Sequence, residues 1–200
     1  MKNKLITTLV TTLLLTGCVI GNQMASYGND AIVTLGNVGV KSGQQGGHIS
    51  SVNGNVEVGN NSVVKSAETV NGNVKIGSNS QTSSLSTVNG NVEIGENTVV
   101  DGDASTVNGA IILEKGAQVK HNIKLTNGDV ILKDNAKVLG NIVFEHTNYS
   151  GFLSSRSERT LEIAGSAMVR GKIILYTPVT LRLPKNFDRS KIDDRSARAK

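Results

Sequence analysis

A short motif recurs along the chain at a nearly constant interval, and this repetition constrains the fold more than any other feature. Val-Asn-Gly-Asn-Val begins at Val52, Val70 and Val88, and looser copies begin at Val107 and Thr126. The successive steps are 18, 18, 19 and 19 residues. A period of this length is typical of solenoids, in which each repeat supplies one coil and neighbouring coils share a core.

Each repeat also contains three pairs of small or apolar residues, with one residue between the members of each pair. In one repeat the pairs are Val56/Val58, Ser62/Val64 and Ala67/Thr69. Alternation of two predicts short strands with one buried face, whereas an amphipathic helix repeats its apolar residues every three to four positions. Three strands per repeat predict an all-β fold, a single-stranded three-sided parallel β-solenoid with 18–19 residues per coil and about seven coils.

The composition agrees with strands. Aromatic residues make up 3% of the chain, there is no Trp, and Gly occurs 22 times. A core must then be built from Val, Ile, Ala and Thr, and the β-branched residues among these favour strands.

The Asn-Gly pairs are expected at one corner of every coil, where Gly accepts a positive φ at no steric cost. Coils stacked about 4.8 Å apart would bring the Asn side chains within hydrogen-bonding reach of one another. The predicted structural amide ladder comprises Asn53, Asn71, Asn89, Asn108 and Asn127. Stacking requires an identical residue in every coil, so we favour this interpretation over ligand binding by the same residues.

The later coils carry a second pattern, Ala-x-Val followed by x-Gly-Asn-Ile or x-Gly-Lys-Ile. It occurs in full at 136–142 and 167–173, and its first part alone occurs at Ala117-x-Val119. This pattern resembles bactofilins, polymer-forming β-helical proteins of bacteria, and the Val-Asn-Gly-Asn-Val stretches look like the strand-repeat domains of bacterial envelope proteins. The resemblance covers roughly 34–175 and implies a β-helical domain. It also favours right-handed winding, although the 18-residue step leaves a left-handed helix open.

The N-terminus has the pattern of an export signal. Lys2 and Lys4 precede an apolar run, 5–15, that is too short to span a bilayer as a mature helix. The following Leu15-Thr16-Gly17-Cys18 resembles the lipobox of bacterial lipoproteins, and Cys18 is the only cysteine. The resemblance implies that residues 1–17 are a cleaved signal peptide and that Cys18 carries acyl chains that hold the protein to a membrane.

The residue after the cysteine bears on location. In Gram-negative lipoproteins an Asp at this position favours retention in the inner membrane, and Val19 stands here instead. The resemblance therefore implies an outer-membrane lipoprotein of the cell envelope, on the periplasmic leaflet or at the surface.

No motif in the sequence indicates catalysis. With Cys18 lipidated, no thiol remains for a disulfide, a metal or nucleophilic attack. His48, His121 and His146 fall in different coils without ligand spacing, and no phosphate loop, serine triad or zinc motif occurs. Removing Lys2 and Lys4 lowers the formal net charge from +5 to +3. We expect no enzyme activity, no cofactor, no metal and no nucleic-acid partner.

One coil is longer than the others. The step from Val130 to Leu161 is 31 residues, twelve more than the preceding step, which predicts an insertion loop, 146–159, at the Asn-Gly corner. The loop contains residues suited to recognition of a partner, since exposed aromatics beside arginines often carry binding: Tyr149, Phe152, Arg156 and Arg159. The alternative is a loop whose Phe152 folds back over the solenoid flank.

These patterns divide the chain into a signal peptide (1–17), a lipidated N-terminus and linker (18–33), a solenoid domain (34–183) and a charged tail (184–200). The tail either blunts an edge strand or contacts an anionic envelope component.

Two function hypotheses follow from this organisation. One is a structural or scaffold lipoprotein that is capable of self-association, at most into a homodimer. The other is a binding module for an envelope glycan or a protein partner, using the insertion loop.

Overall fold

The computed structural model describes residues 20–146 and 159–198. Within these ranges the regular elements are 22 β-strands and two short 3-10 helices, and no helix is long and apolar enough to cross a bilayer. The strands of the first half are β1 (Gln23–Ala25), β2 (Ala31–Leu35), β3 (Val38–Val40), β4 (Gln45–Asn53), β5 (Val56–Val58), β6 (Val63–Asn71), β7 (Val74–Ile76), β8 (Gln81–Asn89), β9 (Val92–Ile94), β10 (Val99–Val100) and β11 (Ala104–Asn108). The second half comprises β12 (Ile111–Leu113), β13 (Gln118–Val119), β14 (Ile123–Asn127), β15 (Val130–Leu132), β16 (Lys137–Val138), β17 (Ile142–Phe144), β18 (Thr160–Ile163), β19 (Met168–Val169), β20 (Ile173–Leu175), β21 (Thr180–Arg182), η1 (Arg189–Lys191), β22 (Ile192–Asp194) and η2 (Ser196–Arg198).

The strands stack in parallel around a common core. One side is a nine-stranded sheet in the order β1-β3-β5-β7-β9-β12-β15-β18-β21. The other two sides belong to a 13-stranded sheet, in which β4, β6 and β8 run across a corner that separates β10 from β11 in later coils. The predicted parallel β-solenoid of about seven coils is confirmed, and its winding sense stays a prediction.

The inward pairs of each repeat form the core. Val56 lies in register with Val74, and Val74 with Val92, so that like residues stack on like. These three side chains are fully buried, and burying an aliphatic side chain of this size contributes roughly 1.5–3 kcal/mol. The three alternating pairs predicted for each coil are buried, and Phe144 is the one buried aromatic residue among those described.

Several inward positions carry hydroxyl groups that bond to a backbone acceptor in the neighbouring coil. Thr69 Oγ1 donates to the carbonyl oxygen of Gly54 at 2.8 Å, and Thr87 Oγ1 donates to that of Gly72 at 2.9 Å. Ser51 and Thr106 make the equivalent bonds. These hydroxyl groups are therefore satisfied, as buried polar groups must be.

The solenoid begins before the predicted boundary. Residues 18–33 were expected to be a linker, but β1 pairs with β3, and Ile20 forms an isolated parallel bridge with Leu35. The buried residues of this first coil include Ala25, Ala31 and Val33. Periodicity did not predict this coil, because its inward positions include small alanines and it lacks an Asn-Gly pair.

The C-terminal boundary also differs from the prediction of a charged tail over 184–200. β22 pairs with β20, with Ile192 in register with Ile173, and Phe187 packs against the core. The Lys191 ammonium donates to the carbonyl oxygen of Val169 at 2.7 Å, at the last strand of its side. Isolated apolar residues among charges show no period, which is why the sequence did not predict this closing segment.

Candidate functional site at the Asn-Gly corner

The five predicted ladder residues lie in one column along a corner of the solenoid. The side-chain amide of Asn71 (Nδ2) donates to Asn53 Oδ1 at 2.9 Å, and Asn89 donates to Asn71 at 2.8 Å. Asn108 continues the column at 2.8 Å and Asn127 at 2.9 Å. Each of the three inner amides thus donates to one coil and accepts from the other, so the column acts as an internal part of the stack.

The glycines of this corner are required by the close approach of backbones. A Cβ added at Gly72, Gly90 or Gly109 would overlap the carbonyl oxygen of the corresponding glycine in the preceding coil. The sequence suggested a different reason, that glycine is needed at this corner for a positive φ. That reason does not apply to every coil, because Gly54 has no φ in the left-handed range. The missing side chain is what lets successive coils stack at this corner.

Among the described residues, those other than glycine that have a positive φ lie at a second corner, which the sequence pattern did not lead us to predict. Asn61, Asn79 and Asn97 have φ values of 55°, 56° and 54°, and Gly116 occupies the same kind of turn at 72°. Asn tolerates this conformation better than most residues. The signal was present in the Gly-x-Asn that follows β5, β7 and β9.

A second amide column runs beside the first and then stops. Asn55 Oδ1 accepts from the backbone N–H of Asn73, and Asn73 Oδ1 accepts from that of Asn91, both at 2.8 Å. Asn91 Oδ1 accepts from Ala110 N at 2.8 Å, and Ala110 has no side-chain amide to continue the column.

A shallow, open cleft of about 490 Å³ lies at this corner. It is lined by Asn91, Asn108, Gly109, Ala110, Asn127, Gly128 and Asp129. The cleft was not predicted, although its signal is visible as the alanine that replaces the second Asn of the repeated motif. Amide and carboxylate groups around a concave surface suit hydrogen bonding to hydroxyl-rich or peptide ligands.

The insertion returns to the solenoid beside this cleft. Arg159 Nε donates to the carbonyl oxygen of Thr126 at 2.9 Å, and its Nη2 donates to Asn127 Oδ1. Thr160 N donates to Asp129 Oδ1 at 2.7 Å. Partial burial lowers the pKa of Arg159, yet a guanidinium stays charged in proteins. Arg159 therefore closes the end of the amide ladder with a cation.

The other three residues proposed for partner binding, Tyr149, Phe152 and Arg156, lie outside the described residues, as does Cys18. Of the four loop residues, the structure thus places Arg159 alone, at the edge of the cleft.

Two acidic residues on another part of the surface are each paired with a lysine. Asp101 Oδ1 lies 2.7 Å from Lys120 Nζ, and Asp103 Oδ2 lies 2.6 Å from Lys124 Nζ. Burial opposes ionisation of Asp103, but hydrogen bonds from Lys124 and Asn122 hold its pKa below the ordinary value. Among the described residues, no three His, Cys, Asp or Glu side chains come together as a metal-binding group.

One histidine belongs to a polar cluster on another side. His48 Nδ1 lies 2.8 Å from Ser66 Oγ, and Ser66 also hydrogen-bonds Glu68. Burial raises the pKa of Glu68, while the charge of His48 and the Ser66 hydrogen bond oppose the rise. In a serine triad the histidine stands between the serine and the acid, whereas here the buried serine stands between the other two. The arrangement is that of a structural cluster.

Comparison of the chain with protein-family models, with curated proteins and with solved structures gives no match. Its function has therefore to be inferred from its motifs and its geometry.

Proposed function

We propose that this protein is a non-enzymatic lipoprotein of the bacterial cell envelope whose β-solenoid serves as a structural or scaffold element. The observation that carries the proposal is that the polar groups repeated in every coil bond to one another along the stack. Asn71 and Asn89, for example, donate to the preceding Asn and accept from the next. The lipobox-like Leu15–Cys18 supports anchoring.

A stack of this kind has the properties of a rigid spacer. Nine strands of one sheet at about 4.8 Å per step give a rod on the order of 40 Å long. At its C-terminal end, β22 and Lys191 cover strands that would otherwise offer unpaired edges. This covering supports a monomer or a dimer over the filaments that the bactofilin resemblance implies.

Cys18→Ala tests the lipoprotein proposal. We expect the variant to leave the membrane fraction or to accumulate as the uncleaved precursor, because the thiol that would accept the acyl chains is gone. Fractionation of a Gram-negative host and mass spectrometry of the N-terminal peptide make the measurement.

Val19→Asp is the matched control for that experiment. It keeps the cysteine and is expected to leave acylation intact while moving the protein to the inner membrane. A Cys18→Ala protein that stays in the membrane in fully processed form would refute the proposal.

The second candidate function is a binding module for an envelope glycan or a protein partner. The observation that favours it is the cleft of about 490 Å³ beside the returning end of the insertion. Under this proposal the loop residues and the cleft amides form one site, with Arg159 at their junction.

Deletion of 147–158 separates the two candidates. We expect the fold to survive with a change in unfolding free energy of no more than about 1 kcal/mol, because shortening a surface loop has a small entropic effect. Binding to purified peptidoglycan sacculi, measured by co-sedimentation, should be lost under the binding proposal. A scaffold role predicts that the deletion leaves co-sedimentation unchanged.

Ala110→Asn is the companion variant. It adds an amide at the break in the second column and narrows the cleft, and it leaves the loop sequence unchanged. Binding that is lost on deletion but kept by Ala110→Asn would assign recognition to the loop alone.

A further inference from the structure

The N-terminal coil presents a different surface from the coils that follow it. Four of the six large hydrophobic side chains that are exposed among the described residues lie in it. Their exposed fractions are 72% for Ile20, 55% for Met24, 90% for Tyr27 and 44% for Leu35. Such a concentration at one end of a monomer is typical of a contact surface.

The amide ladder ends in apolar residues at this coil. Leu35 lies in register with Asn53, the first member of the ladder, and Ile20 pairs with Leu35 one step further out. The two terminal positions of a polar column are thus occupied by aliphatic side chains.

The outward column of the nine-stranded sheet changes in the same way. Glu57 and Lys75 are exposed and lie in register on β5 and β7. Following this column through Gly39 to β1 leads to Met24, whose sulfur lies over Gly39. Toward the N-terminal end of this column, charged side chains are therefore replaced by a glycine and then by a thioether.

Two further positions of the N-terminal coil also carry a large aromatic or aliphatic side chain. Tyr27 lies in the turn after β1, one residue before the register counterpart of Asn61 and Asn79, and it has a positive φ of 55°. A bulky residue is strained in this conformation. On the third side, half-buried Ile32 lies in register with Ser50. The substitutions thus form a rim around the coil, the apolar collar: Ile20, Met24, Tyr27, Ile32 and Leu35.

The position of the collar identifies what would cover it. Cys18 precedes Ile20 by two residues, which span at most about 7 Å when extended. If the acyl chains on Cys18 enter a bilayer, the first coil must lie at the bilayer surface. Tyrosine and aliphatic side chains are stabilised in the interfacial region, where apolar bodies are buried and polar tips stay hydrated.

We propose that the apolar collar is a membrane-contact surface that seats the N-terminal end of the solenoid in the bilayer interface holding the Cys18 acyl chains. This inference rests on the proposed lipoprotein function. The solenoid then stands on its N-terminal coil, and the insertion corner projects roughly 30 Å from the membrane. The seated collar is also withheld from a second copy of the chain.

Two methionines at opposite ends of the molecule provide a matched test. Met24 belongs to the collar, whereas Met168 lies on an outer strand near the C-terminal end and is 40% exposed. Met24→Cys and Met168→Cys each introduce a single free thiol, because Cys18 is acylated. The full-length lipidated protein is labelled with an environment-sensitive fluorophore and reconstituted in phosphatidylethanolamine–phosphatidylglycerol vesicles.

We expect a several-fold rise in emission for the label at position 24, quenched by spin-labelled lipids, and no change at position 168. Tyr27→Cys, at a fully surface-exposed turn, should behave like Met24→Cys and guards against a local disturbance at β1. Mass spectrometry of the same preparations establishes acylation of Cys18.

Each other outcome overturns the proposal in a distinguishable way. Acylated protein whose labels at 24 and 27 stay as hydrated as that at 168 refutes the collar and leaves the lipoprotein proposal standing. A free Cys18 thiol refutes both. A rise at position 24 without vesicles, together with a dimeric mass by light scattering, would assign the collar to a second copy of the chain.

Discussion

Gly90→Ala is expected to lower the free energy of unfolding by roughly 3–5 kcal/mol, at the upper end of what single substitutions do. The added Cβ would overlap the carbonyl oxygen of Gly72 in the preceding coil, and the backbone at Gly90 has a φ of +157°. The clash involves backbone on both sides, so it is relieved only by separating coils. Separation in turn weakens the hydrogen bonds that Asn89 makes in the ladder.

Two other glycines make the matched series. A Cβ added at Gly165 would have no neighbouring atom within 4 Å, and Gly165 has no left-handed φ, so Gly165→Ala should change stability by no more than about 0.5 kcal/mol. Gly43 is equally open but has a φ of +74°, and Gly43→Ala should cost about 1–2 kcal/mol. Urea unfolding of residues 20–200 measures all three. Equal effects at Gly90 and Gly165 would show that close approach is not what requires glycine.

Phe144→Ala is expected to destabilise the domain by about 3–5 kcal/mol, because it removes a fully buried aromatic ring and leaves a cavity. Phe144 lies in register between Leu125 and Leu175 in the stack. Its backbone is held on both sides by strand pairing, so the coil has little freedom to collapse into the space.

Val143→Ala is the control for this prediction, since Val143 is the outward, half-exposed neighbour on the same strand. We expect it to cost less than about 1 kcal/mol. The difference in stability is measured as a shift in the urea midpoint, with the dependence of the unfolding free energy on urea concentration unchanged. A loss below about 1 kcal/mol for Phe144→Ala would mean that the stack repacks around the missing ring. Phe144 immediately precedes the residues from which the insertion departs, so the variant should also weaken any binding that depends on the loop.

The two ends of the molecule have different roles under these proposals. At the N-terminal coil, the polar columns end in the apolar residues Ile20, Met24 and Leu35, next to the proposed anchor at Cys18. The C-terminal end is covered by β22 and by the Lys191 ammonium. Under the proposals, such an arrangement would stabilise a single anchored rod and would place the insertion corner on the part of the molecule away from the membrane.

Periodicity determined the stacking of the coils and which residues face inward. Inward residues recur at alternate positions and coils recur every 18 or 19 residues, because strand geometry and coil stacking repeat identical environments. The buried triplet Val56, Val74 and Val92 and the column of Asn53 to Asn127 follow from that repetition.

Tertiary structure decided whatever depends on a break in the repeat. The cleft lies where Ala110 interrupts one column, and Arg159 caps the other column at Asn127. The closing strand around Ile192 and the apolar collar lie at the two ends, where a coil has a neighbour on one side only. A residue at such a place has no like residue on both sides in the stack, so no periodic signal reports its environment, and only the contacts across coils determine what it does.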